Sequence, residues 1–230
     1  MAELSIIIPC LNEEAGIHFF LRRLQGLRPQ CELILVDGGS NDKTVQIAGS
    51  LVDQLIHCAP GRAMQMNAGA EMAASQTLLF LHADTFLPDD ALIQIQQALS
   101  QGYRWGRFDI RLMGQHWLLP VISYMMNGRS AVTRIATGDQ AIFVDKALFQ
   151  QIGRYPNIAI MEDIALSKRL KEHGQSYRVL NRVESSARRW IHFGIYKTIL
   201  LMWWLRLQYF LGVDPEQLAQ QYKRGQFWKS

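Results

Sequence analysis

The chain is poor in cysteine: its 230 residues include only Cys10, Cys31 and Cys58. The number is odd and no two cysteines have CxxC spacing, which argues against a disulfide framework and against a cysteine zinc site. We expect small buried residues in a reducing cytosol instead. The sequence also lacks a GxGxxG fingerprint and a GxxxxGK[ST] loop. Their absence argues against an ordinary dinucleotide enzyme and against a P-loop nucleoside triphosphatase.

Long runs of one charge are missing as well. The formal net charge is +4 and the pI is near 9.0, without a Lys/Arg block, so nucleic acid is not expected as a partner. The mild excess of positive charge suits a phosphorylated ligand or an anionic membrane surface. The apolar run 4–8 has no basic region before it and is too short for a signal peptide. We expect a cytoplasmic protein, with a peripheral position on the inner membrane face as the alternative.

Strand and helix patterns alternate through the first hundred residues. Apolar runs predict strands at 4–9, 32–37, 55–57 and 77–82, and periodic segments predict helices at 13–24, 42–51, 61–74 and from 88. This order predicts a parallel sheet with helices on both faces. Ligands bind such sheets beyond the carboxyl ends of the strands, so residues 9–13, 37–40 and 82–84 should converge there.

The second half is less regular. Strands are predicted at 107–112 and 140–144, and helices at 117–126 and 163–173. Residues 195–213 are nearly apolar and almost long enough to span a bilayer, but Lys197, Arg206 and Gln208 interrupt them. A helix packed on the domain is the favoured interpretation. An interfacial helix, favoured by the Trp203–Trp204 pair, and a true span are the alternatives.

Two acids follow predicted strands at this edge. If a diphosphate binds there, Asp84 could hold a divalent metal, because Mg²⁺ and Mn²⁺ prefer carboxylate oxygens; alternatively it caps a turn before Pro88. Asp37 could accept hydrogen bonds from a ribose or a base edge, or could form an Asx turn. Gly38 and Gly39 behind it allow a close backbone approach or a positive φ.

A second pair of acids, Glu162 and Asp163, opens a predicted helix. A carboxylate placed there could take a proton from an attacking hydroxyl, with Asp163 the first candidate and Glu162 the second. The alternative is that both acids merely favour the helix N-terminus, by ~0.5 kcal/mol each.

Basic and aromatic residues also suit phosphate and sugar. Arg188 and Arg189 stand beside Trp190, and guanidinium groups bind phosphate while indole stacks on sugar rings; a basic surface turn is the alternative. Arg62, at a helix start, could touch a phosphate. His192 could be a further metal ligand, although a lone histidine is more often structural.

Taken in order, these segments resemble glycosyltransferase family 2. The matching stretches are 5–13, 36–42, 61–69, 81–84, 138–144 and 162–163. They run in the family's order over roughly residues 4 to 175, about three quarters of the chain. The chain looks most like the compact bacterial subgroup called rSAM/selenodomain-associated transferase 2. Residues 186–190 look like a degraded form of the QxxRW motif, with Ser186 in the glutamine position.

The resemblance implies an α/β GT-A fold, a Rossmann-like and mostly parallel central sheet flanked by helices, with C-terminal helices. It implies a domain at 1–190, with a nucleotide-binding half at 1–105 and an acceptor half at 106–190, followed by an amphipathic helical extension at 191–230. The implied activity is inverting, metal-assisted transfer of a sugar from a nucleotide diphosphate, with Mg or Mn. The acceptor, whether lipid, saccharide or small molecule, is left open.

The resemblance also assigns roles to residues. Asp163, with Glu162 second, would be the catalytic base; Asp84 would bind metal, with His192 as a weaker candidate; Asp139 and Trp190 would face the acceptor. The nucleotide would be bound by Pro9, Leu11, Glu13, Asp37, Gly39, Arg62, His82 and Arg189.

Two positions depart from the family pattern. The family usually has aspartate where this chain has Gly38, and it usually has Asp-x-Asp where this chain has His82 and Asp84. The alternative function is therefore a catalytically impaired module that binds a sugar nucleotide or a partner. A nucleotidyltransferase ranks lower, because residues 9–13 lack the Gly-rich basic loop that such an enzyme needs.

Overall fold

A computed structural model describes residues 3–224. One eight-stranded mixed sheet, in the order β3-β2-β1-β4-β7-β6-β8-β5, forms the centre. The strands are β1 Leu4–Cys10, β2 Cys31–Asp37, β3 Gln54–His57, β4 Thr77–Phe80, β5 Thr85–Phe86, β6 Trp105–Met113, β7 Ile142–Asp145 and β8 Tyr177–Ser186. The helices are α1 Glu14–Leu24, α2 Thr44–Ala48, α3 Arg62–Met72, α4 Ala91–Ser100, α5 Leu118–Thr133, α6 Lys146–Gln151, α7 Glu162–Glu172, α8 Arg188–Phe193, α9 Ile195–Phe210 and α10 Pro215–Arg224.

The first half of the sheet is parallel, as the alternating pattern predicts. β1 lies between β2 and β4, with Ile6 opposite Leu33 on one side and Leu79 on the other. Side chains alternate along β1, so Ile6 and Ile8 enter one core layer while Ile7 enters the layer on the opposite face. A sheet buried on both faces explains why these strands are apolar throughout.

The second half departs from a parallel sheet. β7 is antiparallel to both of its neighbours, β4 and β6, whereas β6 and β8 are parallel. The predicted strand at 140–144 is shifted, because Gly138–Gln140 form a short 3-10 helix and β7 begins at Ile142. The helix predicted at 117–126 continues to Thr133, and the one predicted at 42–51 shrinks to α2.

The C-terminal helices pack on the domain. Thr198, Leu201 and Leu205 of α9 are buried, and the last two join a third apolar cluster with Ile164 and Leu218. Within residues 3–224, none of the helices combines the length and the apolar character needed to cross a bilayer. Residues 225–230 of the predicted extension lie outside the described part of the chain.

Candidate functional site

A cavity of about 540 Å³ lies at the carboxyl end of β4, with α5, α7 and α9 around it. Many of the residues singled out from the sequence line it: Arg62, His82, Asp84, Asp139, Glu162, Asp163, Arg189 and Trp190. The fold therefore brings the predicted metal ligand and the predicted base to one space, although they are far apart in the chain.

The acid pair opens α7 at the cavity wall. Asp163 Oδ2 accepts a hydrogen bond from the Gly138 backbone N–H at 2.8 Å, and Oδ1 accepts one from the Ile164 N–H at 2.7 Å. The preceding Met161 has a φ of 69°, a strained conformation for a non-glycine residue that turns the chain into the helix. The Asp163 carboxylate is thus placed by backbone contacts.

Burial and mutual repulsion change the acidity of this pair. Burial, reinforced by the negative charge of Asp163, raises the pKa of Glu162 to about 7, although Arg62 opposes the shift. The Arg62 Nη1 and Glu162 Oε1 atoms are 3.7 Å apart. Burial also raises the pKa of Asp163, against the stabilising hydrogen bonds from Gly138 and Ile164. A carboxylate with a raised pKa is a stronger proton acceptor.

His82 occupies the position where the family pattern has an acid. A Cβ added at Gly138 would come within 2.6 Å of His82 Nε2, so the ring edge lies against the glycine backbone. Nε2 is buried and makes no hydrogen bond. Burial and the positive charge of Arg62 lower the pKa of His82 to about 3, so the imidazole is neutral at physiological pH.

Asp84 is connected to the first loop through one arginine. The Arg188 Nη2 atom lies 3.0 Å from Glu13 Oε2 and 3.6 Å from Asp84 Oδ2. The Asp84 carbonyl accepts the Ser186 N–H at 3.1 Å. Loops from the two ends of the chain therefore meet here, and about a third of the Asp84 side chain remains exposed.

The side chains available as metal ligands restrict how a metal ion could be bound. Among residues 3–224 no group of three or more His, Cys, Asp or Glu side chains is arranged to hold a metal ion. Magnesium, however, is commonly held by one or two carboxylates together with substrate phosphates. Asp84, partly exposed and facing the cavity, fits that role. The structure does not bring His192 to the cavity, because it is exposed on α8 and lies outside the cavity lining.

The nucleotide-side loops lie beside the cavity. Pro9, Leu11, Glu13, Asp37 and Gly39 are outside its lining. The loops nevertheless meet as predicted, since the Asn12 N–H donates to Ser40 Oγ at 2.9 Å. Asp37 is buried and accepts the Gly39 N–H at 3.0 Å, which is the Asx-type turn given as the alternative. Hydrogen bonds from Ser40 and Gly39 outweigh burial and lower the pKa of Asp37.

The side chain of Gln65 fills the space next to Gly38. The Gln65 amide donates to the carbonyls of Cys10 at 2.7 Å and Val36 at 2.8 Å, joining the ends of β1 and β2. A Cβ at Gly38 would stand 3.1 Å from that amide. The buried amide therefore favours glycine at this position over the usual aspartate.

Two cavity arginines, Arg129 of α5 and Arg206 of α9, were not expected from the sequence. Each has a buried Nε without a hydrogen-bond partner. The available signal was a cation within a largely apolar helical segment. The Arg189 guanidinium lies 3.4 Å from the Tyr222 ring centroid, so α10 positions it at the cavity.

The chain is similar to known glycosyltransferases in sequence and in fold. Residues 5–118 match the family model described as glycosyl transferase family 2. An undecaprenyl-phosphate 4-deoxy-4-formamido-L-arabinose transferase of Aeromonas hydrophila is 30% identical over 111 residues, covering 43% of this chain and 34% of the relative. A PGL/p-HBAD biosynthesis glycosyltransferase of Mycobacterium bovis is 31% identical over 180 residues, covering 66% and 62%. The chain thus spans about a third of the first relative and under two thirds of the second.

Solved structures share the fold. A mannosyltransferase from Pyrobaculum calidifontis, in complex with GDP-Man and Mn²⁺, superposes with a TM-score of 0.67 at 15% identity, over 97% of this chain and 69% of that one. S. aureus TarS 1-349, in complex with UDP-GlcNAc, gives 0.65 at 15% identity, over 82% and 59%. The chain has the GT-A fold of these proteins.

Proposed function

We propose that this chain, whose residues 5–118 match the family model of glycosyl transferase family 2, transfers a sugar from a nucleotide diphosphate to a hydroxyl-bearing acceptor with inversion. The observation that carries the proposal is that Asp84 and Asp163 line one cavity. One acid faces the place where a diphosphate would leave, and the other is placed to receive the acceptor proton.

The base role falls to Asp163. Its raised pKa and its fixed orientation suit proton abstraction from a hydroxyl at the sugar's reacting carbon. Glu162 is the second candidate, but its carboxylate faces Arg62. As the acceptor oxygen attacks, Asp163 takes its proton, and the nucleotide diphosphate departs from the opposite side of the sugar.

Charge stabilisation falls to other residues of the cavity lining. Asp84 would hold a divalent cation, Mg or Mn, which when bound neutralises the departing diphosphate. Arg62 and Arg189 line the same cavity and offer guanidinium groups to phosphate oxygens. Relatives of this fold that contain Mg²⁺ or Mn²⁺ with UDP support the choice of metal.

The donor's base and ribose would be bound by the loops of Pro9, Leu11, Glu13, Asp37 and Gly39. Asp139 and Trp190 would face the acceptor, whose class stays open between lipid, saccharide and small molecule. Membership of the rSAM-associated subgroup and a cytoplasmic location stay predictions too.

A thermal-shift screen of UDP, GDP, CDP and dTDP, each with and without Mn²⁺, tests donor binding. We expect one nucleotide to raise the melting temperature, and Mn²⁺ to increase that shift. Release of the same nucleotide from its sugar conjugates then tests turnover. Binding without turnover, across acceptors from lysates, would favour the alternative of a catalytically impaired binding module. That alternative is considered because Gly38 and His82 stand where the family usually has acids.

A further inference from the structure

Helix α9 leaves one apolar face uncovered. Large apolar side chains at three- and four-residue spacing stand out from it: Tyr196, Leu200, Trp203, Trp204, Leu207 and Phe210. Their buried counterparts, Leu201 and Leu205, lie on the opposite side of the helix. The helix thus carries apolar side chains on both sides, although only one side is packed on protein.

Helix α5 presents a second uncovered face. Val121, Tyr124, Met125 and Val132 are exposed on it, and Trp117 is exposed just before it. Tyr124 is 77% exposed, while Ile122 and Leu119 of the same helix are buried. A contiguous apolar surface of this kind marks an interaction site.

The two faces belong to one surface, because the cavity opens between them. Met125 of α5 and Trp203 of α9 both line the cavity and are 50% and 62% exposed. Ile191 of α8 is also exposed, and it lies near Leu119 at the start of α5. We call the exposed side chains of α5, α8 and α9 the α5–α9 face.

The three helices that form this face carry basic side chains and no acidic ones, whereas the acidic side chains of the site lie in the cavity lining. These helices contain five arginines and lysines, and Arg134 directly follows α5. Arg134 and Lys197 are exposed, and neither forms an ion pair among the described residues. Lys168 adds a cation beside Tyr209 and Phe210. Indole and phenol rings with basic neighbours suit the headgroup region of an anionic bilayer.

We propose that the α5–α9 face docks on an anionic lipid bilayer and turns the mouth of the cavity toward the lipid headgroups. The apolar side chains would enter the interface, and Arg134 and Lys197 would bind anionic headgroups. The proposal extends the membrane contact expected for residues 195–213 to a second helix, α5. It also specifies how the protein is oriented on the bilayer. A second copy of the chain is the competing occupant, but its positive charges would face each other.

Flotation of the full chain tests the docking. Vesicles of phosphatidylcholine alone are compared with an equal mixture of phosphatidylcholine and phosphatidylglycerol, at low and at high salt. We expect binding to the anionic mixture that weakens with salt. Tyr124→Ser with Leu207→Ser, two exposed positions outside the cavity lining, should lower the partition coefficient about ten-fold.

The matched control is Ile93→Ser with Leu180→Ser, at equally exposed apolar positions away from the face. It should bind as the wild type does. Wild-type protein that stays with the unbound fraction, or a control that loses binding equally, would overturn the proposal. So would a dimer in gel filtration that the Tyr124/Leu207 variant dissociates. Nucleotide-induced melting shifts of the same variants show separately whether the donor site works.

Discussion

The imidazole of His82 lies directly on the backbone of Gly138: a Cβ added at Gly138 would come within 2.5 Å of His82 Cε1. The same glycine donates its N–H to the Asp163 carboxylate. One residue without a side chain therefore joins the loop after β4 to the start of α7. His82, which replaces the usual acid, therefore packs against the residue that holds Asp163, the proposed base.

We expect Gly138→Ala to lower the free energy of unfolding by about 1–3 kcal/mol, because the methyl group and the His82 ring cannot both be accommodated. In a double-mutant cycle measured by urea denaturation, His82→Ala should recover part of this loss. Gly128→Ala is the control, since a Cβ at Gly128 meets nothing within 4 Å and alanine favours the helix. Strictly additive effects of the two substitutions would contradict the packing.

Asp163→Asn should abolish transfer while nucleotide binding stays nearly intact. The amide keeps the shape of the side chain but cannot take a proton, and loss of a general base lowers kcat by roughly 10²–10⁴-fold. Single-turnover kinetics with the donor found in the thermal-shift screen would measure this. Glu172→Gln, at the exposed end of the same helix, should leave the rate unchanged. Retained transfer in Asp163→Asn would remove Asp163 from the base role.

Asp84→Ala should weaken the Mn²⁺-dependent part of UDP or GDP binding, because within residues 3–224 no group of three or more metal-ligating side chains is available to hold the ion in its place. Calorimetric titration of the nucleotide with and without Mn²⁺ separates the two contributions. Asp89→Ala, an exposed acid five residues further on, is the control. Equal metal dependence in both variants would show that the metal is held elsewhere.

Stability should fall as the pH rises from about 4.5 to about 7. Glu162 has a pKa near 7 in the folded chain, above its ordinary value of 4.5, so the folded state binds more protons in that window. The stabilisation is complete below pH 4.5 and is lost as the pH passes 7, by at most about 3 kcal/mol.

Glu162→Gln should flatten this dependence without removing it, because Asp163 also has a raised pKa. Urea denaturation at a series of pH values measures the slope. A wild-type slope that the variant reproduces unchanged would mean that Glu162 is ionised throughout the range.

The first half of the fold could be predicted because its strands are apolar on both faces and its helices have a clear period. β8 could not be predicted, because its charged side chains interrupt the apolar pattern and pair with residues of β6, which are distant in the chain. Arg178 binds the buried Asp109, and the β6–β8 register shifts beside that residue. The shift breaks the two-residue alternation on which strand prediction depends.

The residues of the candidate site also divide into those that could be predicted from the sequence and those that could not. Asp84 and Asp163 could be predicted because strand ends and a helix start place them at one edge of a sheet. Arg129 and Arg206 could not, since each appears in the sequence as an interruption of an apolar helix. The side on which such a cation lies depends on how α5 and α9 pack, and short-range patterns do not contain that information.

The ion pair between Glu13 and Arg188 joins residues 175 positions apart. Tyr222, a further 34 residues along, closes the wall behind Arg189. Contacts of such separation form late, because the intervening chain loses loop entropy before they are gained. On a translating ribosome the parallel sheet can therefore assemble while the cavity is still open on one side. Only a chain complete through α10 acquires a closed binding site.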